Sequence, residues 1–407
     1  MEKLISPADK FTAAKKRSDH PITQKFVESF DFAFDDFQVA ACNSVEDGHG
    51  VLVAAPTGAG KTVVGEFAAY LSLEQGKKCF YTTPIKALSN QKYQEFVNKF
   101  GSENVGLLTG DTNINSEAPV LVMTTEVLRN MLYQGSNTLV NLGSVVMDEV
   151  HYLADKFRGA VWEEVLIHLM ESVQVISLSA TVSNAEEFGE WLGEVRGTID
   201  VIVSEVRPIP LYQHVLIGNK LIDLFTKPGQ INSEILKLES EALRKVRHKN
   251  TRQSRWVDDL NKLSRPEIIE KLDRMALLPA ITFIFSRIGC DAAVKQCLQA
   301  GIKLTNADER KEIVETANRY TQNLAQEDLE ILGHAEWLAA LERGIAAHHA
   351  GLLPSFKSAV EDLFQRGLVK AVFATETLAL GINMPAKTVV LEKLIKYNGE
   401  AHVPITP

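Results

Sequence analysis

An apolar run, Val51-Leu52-Val53-Ala54, passes into Ala55-Pro56-Thr57-Gly58-Ala59-Gly60-Lys61-Thr62 and then into the helix-like Val63-Val64-Gly65-Glu66-Phe67-Ala68-Ala69-Tyr70. Strand, glycine-rich loop, Lys-Thr and helix in that order imply an α/β fold, because a buried strand must deliver the loop to a helix N-terminus. The glycines let backbone N–H groups curl around phosphate oxygens, and the helix end adds partial positive charge. Pro56, Thr57, Gly58, Ala59 and Gly60 would form the cradle. Lys61 can reach the β- and γ-phosphates, while the Thr62 hydroxyl can ligate Mg²⁺. Ala55 stands where the generic G-x-x-x-x-G-K-[ST] pattern has its first glycine, so the match is imperfect. The segment still points to a nucleoside triphosphate.

Further short β-branched runs alternate with helical patterns, at 79–83, 120–124, 145–148 and 175–178, and again at 280–285, 371–374 and 388–391. Continuous apolar runs of this kind mark parallel strands covered on both faces. The expected architecture is two α/β domains joined by a helical, charged insertion. A polar lead-in over 1–25 precedes a first domain over 26–205; a linker and helical basic insertion over 206–275 leads to a second domain over 276–407. The stretch 220–274 shows no strand signal. Within it Arg244, Lys245, Arg247, His248, Lys249, Arg252 and Arg255 could grip phosphates, but read more simply as a solvated arm.

With 407 residues there is room for about two or three domains. The net charge of −9 exerts no global pull on nucleic acid, so any such binding needs a local surface. Cys42, Cys79, Cys290 and Cys297 lack CxxC spacing and read as reduced, buried thiols of a cytosolic protein. The N-terminus lacks the apolar core of a signal peptide, and no apolar run is long enough to span a bilayer. The expected location is cytoplasmic, without a membrane partner.

A second dense signal is Val145-Val146-Met147-Asp148-Glu149-Val150-His151. An apolar strand that ends in Asp-Glu places two carboxylates where doubly wound sheets bind ligands. Asp148 would hold Mg²⁺ through its shell, and Glu149 would orient and deprotonate the attacking water.

The order APTGAGKT, TTPIKALSNQ, LTGD, MTTEVLRNML, MDEVH, LSAT, IFSR and ATETLALGINMP resembles that of superfamily-two DExH-box helicases. Within them it is most similar to the superkiller-type RNA helicases, the actinobacterial HelY branch above all. The resemblance covers nearly the whole chain. It implies two tandem RecA-like doubly wound domains, ATP and Mg²⁺ as cofactors, and single-stranded or partly duplex RNA as the partner, with DNA as the alternative. It also implies 3′-to-5′ movement, and a monomer is favoured.

Carried onto matching positions, the resemblance makes Gln38 the glutamine that reads adenine, with Phe30 or Phe32 stacking on the base. Thr83-Pro84-Ile85-Lys86, Thr109-Gly110 and Thr124-Thr125 with Arg129 would hold the strand backbone, as would Ser286-Arg287 and Thr375 in the second half. Ser179 and Thr181 would couple hydrolysis to movement, through His151. Gly381 and Asn383 would approach the ribose and γ-phosphate; Asp is frequent at the latter position in other branches. His348-His349 suggests a metal pair only superficially, because neighbours on a helix point apart. Asn398-Gly399 between extended segments signals a hairpin, for which the resemblance suggests a strand-separating role. The family's Q-x-x-G-R-A-G-R-R-G segment is missing from these residues. The sequence is therefore expected to be a fragment of a longer helicase, binding ATP but hydrolysing it poorly.

Overall fold

The structure, a computed structural model, describes residues 19–154, 159–180, 185–227, 229–238, 240, 263–378, 384–397 and 402–405. The chain divides into two compact units, Met1–Leu211 and Tyr212–Pro407.

The first unit is built on eight strands: β1 (Gly50–Ala54), β2 (Lys78–Thr83), β3 (Val105–Thr109), β4 (Thr112–Ile114), β5 (Val120–Thr124), β6 (Leu142–Met147), β7 (Gln174–Ser179) and β8 (Ile199–Val203). Their order across the sheet is β4-β3-β5-β2-β6-β7-β1-β8. All neighbours run parallel except the β3–β4 pair. Because strand side chains alternate between faces, both faces must be apolar. Val51, Val53, Tyr81, Val122 and Ile176 face one core with Phe67 and Phe96. Leu52, Phe80, Leu121, Met123 and Val145 face the other with Leu128, Trp162 and Leu192. Helices Thr62–Glu74 and Lys86–Phe100 thus cover one side, and Thr125–Gln134, Gly159–His168 and Ala185–Arg196 the other.

Phe67 is fully buried and meets Phe26 edge-on at 5.2 Å. Phe67→Ala should cost about 3–5 kcal/mol, seen as a lower urea midpoint for the first unit. A loss below about 1 kcal/mol would mean that the site collapses to fill the cavity.

The second unit holds β9 (His214–Ile217), β10 (Lys220–Asp223), β11 (Phe225–Lys227), β12 (Gln230–Ile231), β13 (Ala280–Phe283), β14 (Ile345–His348), β15 (Ala371–Ala374), β16 (Thr388–Leu391), β17 (Ile395–Tyr397) and β18 (His402–Pro404). Its main sheet is parallel, in the order β14-β15-β13-β16. Ile269, Cys290, Val294, Ile345 and Phe373 pack on one face, and Ile313, Val360, Phe364 and Val372 on the other.

Several expectations need correction. The stretch 220–274 begins with strands: β10 pairs with the preceding β9, and β11 with β12, as antiparallel ladders, while helix appears over 233–238 and as Arg265–Arg274 among the described residues. Gly218, at φ +56, and Asn219 lie between Ile217 and its partner Lys220. That two-residue Gly-Asn turn is a hairpin signal, hidden by the polar composition around it. The basic cluster from Arg244 to Arg255 lies outside the described residues. The supposed lead-in contains helix Pro21–Glu28, which buries Thr23 and Phe26 against the core. All four cysteines are free and buried, and burial pushes their thiols well up. Among the described residues there is no cluster of metal-ligating side chains, and no helix is long and apolar enough to cross a membrane.

Candidate active site at the strand ends

β1, β7 and β6 are neighbours, so the residues after their C-terminal ends share one edge of the sheet. After β1 the Ala55 N–H donates to the Ser179 carbonyl at the end of β7, at 3.2 Å. Gly58 and Gly60 take φ of +85° and +79°, a region that side chains disfavour. At Gly60 space matters too, since a Cβ would come within 2.6 Å of Gln38 Nε2. The N-cap residue of helix Thr62–Glu74 is Lys61, whose side chain can only donate and makes no cap at the helix N-terminus. The Lys61 ammonium is buried and donates to the carbonyls of Ala55 at 2.8 Å and Pro56 at 3.2 Å. Burial lowers its pKa, opposed by the charges of Glu149 and then Asp148.

Gln38 does not present a free amide. Its oxygen accepts the Asp35 N–H at 2.8 Å as part of a capping box, and Nε2 donates to the carbonyls of Ala59 at 3.3 Å and Gly60 at 3.1 Å. The side chain braces the phosphate loop. Phe30 is likewise engaged: it packs edge-on with Phe26 and Phe34, and the Lys99 ammonium sits 4.0 Å from its ring centre. Phe32, stacked on Phe34 and 54% exposed, offers the more accessible ring.

β6 delivers Asp148, whose N–H donates to the Thr82 carbonyl at 3.0 Å. Its Oδ1 accepts the Glu149 N–H at 2.9 Å and its Oδ2 accepts the Tyr81 hydroxyl at 2.7 Å. Glu149 lies at φ +52°, a strained position for a side-chain-bearing residue that costs on the order of 1–3 kcal/mol. Its Oε2 is buried with no hydrogen-bond partner among the described residues. His151 Nδ1 is 3.3 Å away but not aligned for a hydrogen bond, and it too is an orphan. Burial, reinforced by Asp148 and opposed by Lys61, raises the Glu149 pKa to about 7. Burial and then the Lys61 charge lower that of His151, which favours its neutral form. A basic, unpartnered carboxylate oxygen beside a buried ammonium and a helix N-terminus fits an attacking water and a phosphate chain. Thr62 and Asp148 supply the oxygen donors that suit Mg²⁺.

In the role expected of Glu149, proton acceptor from an attacking water, only the ionised form is competent, so kcat/KM for ATP is expected to fall about tenfold per pH unit below about 7. A profile that stays flat down to pH 5 would remove Glu149 from that role.

β2, β5 and β3 are also neighbours, so Thr83, Thr124 and Thr109 end adjacent strands. Thr83 lies opposite Thr124 in register. The side chains proposed to hold a strand divide into two sets. Thr83, Pro84 and Thr125 are buried. The Thr83 hydroxyl is 2.7 Å from Ser89 Oγ and donates to the Ile85 carbonyl at 3.0 Å, while Thr125 Oγ1 donates to the Thr83 carbonyl at 3.3 Å. Their side chains shape the loops rather than face a ligand. Lys86 and Gly110 are exposed and Thr109, Thr124 and Arg129 half-buried. Lys86 pairs with Asp111, which also accepts the Thr109 hydroxyl at 3.1 Å. Arg129 faces Glu164 at 3.7 Å.

In the second unit Ser286 caps helix Arg287–Gln299 through the Gly289 N–H at 3.2 Å, and both Ser286 and Arg287 are exposed. The Thr375 N–H donates to the His348 carbonyl at 3.2 Å, so Thr375, just after β15, lies beside the last residue of the neighbouring β14. His348 ends β14 rather than sitting on a helix. Its Nε2 is 2.7 Å from Glu361 Oε1, whereas His349 Nε2 is 3.0 Å from Asp291 Oδ1. Each ring serves a different carboxylate, which argues against a metal pair. β17 and β18 form the antiparallel pair expected around Asn398-Gly399, but those two residues, with Thr181, Gly381 and Asn383, lie outside the described residues.

Residues 35–188, which contain β1 to β7, the phosphate loop and the Asp-Glu pair, match the family model of DEAD/DEAH box helicases. That region is a DEAD/DEAH box helicase domain. It is 55% identical over 399 residues to a protein named probable helicase HelY of Mycobacterium leprae, covering 94% of this chain and 43% of that protein. It is 40% identical over 425 residues to the chloroplastic DExH-box ATP-dependent RNA helicase DExH15 of Arabidopsis thaliana, covering 94% and 35%. Human superkiller complex protein 2 is 40% identical over 395 residues, covering 93% and 31%. The chain thus spans less than half the length of these relatives. Sequence reasoning missed Tyr81, whose place inside the apolar run Cys79-Phe80-Tyr81 marks it as a packing residue and gives no sign of its bond to Asp148.

Proposed function

We propose that the chain is the ATP-driven core of an RNA helicase, acting in the cytoplasm as a monomer. The observation that carries the reading is the meeting, on one edge of the sheet, of the Lys61 loop after β1 with the orphaned Glu149 Oε2 after β6. In this reading the loop N–H groups and Lys61 hold the phosphates. Thr62 and Asp148 hold Mg²⁺, which neutralises phosphate charge. Glu149 takes a proton from the attacking water, and neutral His151 links that event to Ser179 and Thr181. Phe32 lies under the adenine, and Gln38 reads its edge by exchanging a loop carbonyl for the base. In the first unit, backbone groups at Thr83 and Thr124 with Lys86 and Arg129 hold nucleic-acid backbone; in the second, Ser286, Arg287 and Thr375 do so, and Gly381 and Asn383 are its nucleotide-binding residues.

The test compares ATPase stimulation by matched single strands of RNA and DNA. Stronger stimulation by RNA supports the reading; equal or stronger stimulation by DNA contradicts the RNA assignment. The nucleic-acid edge has its own check. Lys86→Ala should weaken RNA binding and lower the salt dependence of log K by about 0.7, the value for one phosphate contact on a single strand. An unchanged slope would remove Lys86 from the interface.

A further inference from the structure

Tyr81 is fully buried in the middle of β2, and its ring meets Phe96 edge-on at 5.1 Å. A hydroxyl at such depth is costly unless it is bonded, and this one donates to Asp148 Oδ2 at 2.7 Å. The ring reaches Asp148 by a path kept open by Gly65, in the helix that begins at the phosphate loop. A Cβ on Gly65 would stand 2.7 Å from Tyr81 Cε2 and 3.1 Å from Val146 Cγ1. Gly65 has no positive φ to explain it, so the close approach is its reason. The same end of β2 fixes Asp148 a second time, through the Thr82 carbonyl, and the Thr82 hydroxyl donates to the Val146 carbonyl at 3.1 Å. Two residues later the chain enters the Thr83–Lys86 loop.

We propose that Tyr81 is a positioning residue: its hydroxyl, admitted by Gly65, orients the Asp148 carboxylate toward the divalent cation of bound ATP. Each Asp148 oxygen already accepts one protein N–H or O–H and keeps a lone pair for the cation or its water. Groups that orient a ligating side chain typically change metal affinity about 10–100-fold when removed. Because Tyr81 and the loop are on one strand, a displacement of that loop also moves the hydroxyl. This places the metal-holding carboxylate under the influence of the nucleic-acid edge. The inference rests on the reading of Asp148 as a metal-holding residue.

The test follows binding of a fluorescent ATP analogue to the whole chain during Mg²⁺ and Mn²⁺ titrations, and in chelator without metal. Tyr81→Phe keeps the ring and removes the bond. It should raise the cation midpoint about tenfold or more while leaving metal-free binding and the melting temperature close to wild type. Gly65→Ala should shift the midpoint in the same direction by displacing the ring. A wild-type midpoint in Tyr81→Phe overturns the inference, whether or not the melting temperature falls. Asp148→Asn separates the two layers. If it abolishes the cation effect while Tyr81→Phe does not, only the Tyr81 step fails; if it too retains the wild-type midpoint, the metal role of Asp148 fails with it.

Discussion

Glu149→Gln should lower ATP turnover by about 10²–10⁴-fold, leave ATP binding nearly intact, and make the folded chain more stable at alkaline pH. The first effect follows from losing the group proposed to accept a proton from water. The second follows because Gln keeps the shape and adds no charge near the phosphates. The third follows from burial. The carboxyl titrates at about 7 in the fold against 4.5 for the exposed group, so the folded state holds its proton more tightly than the unfolded chain does. The protonated form is therefore accommodated at no cost below about 4.5, and stability is lost as pH rises from there through 7. At pH 8 the ionised carboxylate costs on the order of 3 kcal/mol, which a neutral amide avoids. Thermal melts at pH 4.5 and pH 8 should show Gln ahead only at the higher value. A variant that hydrolyses ATP normally, or that is less stable than wild type at pH 8, would contradict the assignment.

Lys61→Ala should weaken ATP binding by about 10²-fold or more, since charge-assisted bonds to phosphate are worth about 1.5–3 kcal/mol each. The buried ammonium now donates to the Ala55 and Pro56 carbonyls. Its removal leaves these acceptors unpaired and the loop less defined even without nucleotide. The charge of Lys61 also holds the Glu149 pKa down against burial. Removing it should move the pH-dependent stability midpoint of Glu149 upward, which pH-resolved melts can read without any turnover. Calorimetry that finds wild-type ATP affinity in Lys61→Ala would overturn the phosphate role, and an unmoved midpoint would deny the coupling.

Much of the site is legible in the sequence because its two densest motifs are local. The loop at 55–62 and the Asp148-Glu149 pair each lie within a few residues of a strongly apolar strand, and sheet topology sets those strand ends on one edge with only β7 between them. What escapes notice depends on distant partners. Gln38 carries the expected amide, but only folding shows it bonded to Ala59 and Gly60. Thr83 and Thr125 look like phosphate-binding hydroxyls until the register of β2 with β5 buries them together. The strands at 120–124, 371–374 and 388–391 appear where the apolar runs place them. β14, Ile345-Ala346-Ala347-His348, is obscured by its alanines, which favour helix. β8 at 199–203 lies at the sheet edge with only partial burial, so its pattern is mixed. β4, Thr112-Asn113-Ile114, pairs only with β3 and has no apolar run at all.

Single-turnover hydrolysis of labelled ATP tests the central claim most directly, because it reads chemistry even where turnover is slow. Wild-type chain should cleave bound ATP faster when single-stranded RNA is added, with a rate that declines below about pH 7; the Glu149→Gln chain should bind the same ATP and leave it uncut. Equal cleavage by the two chains, or cleavage indifferent to RNA, would contradict an ATP-driven RNA motor built on these strand ends.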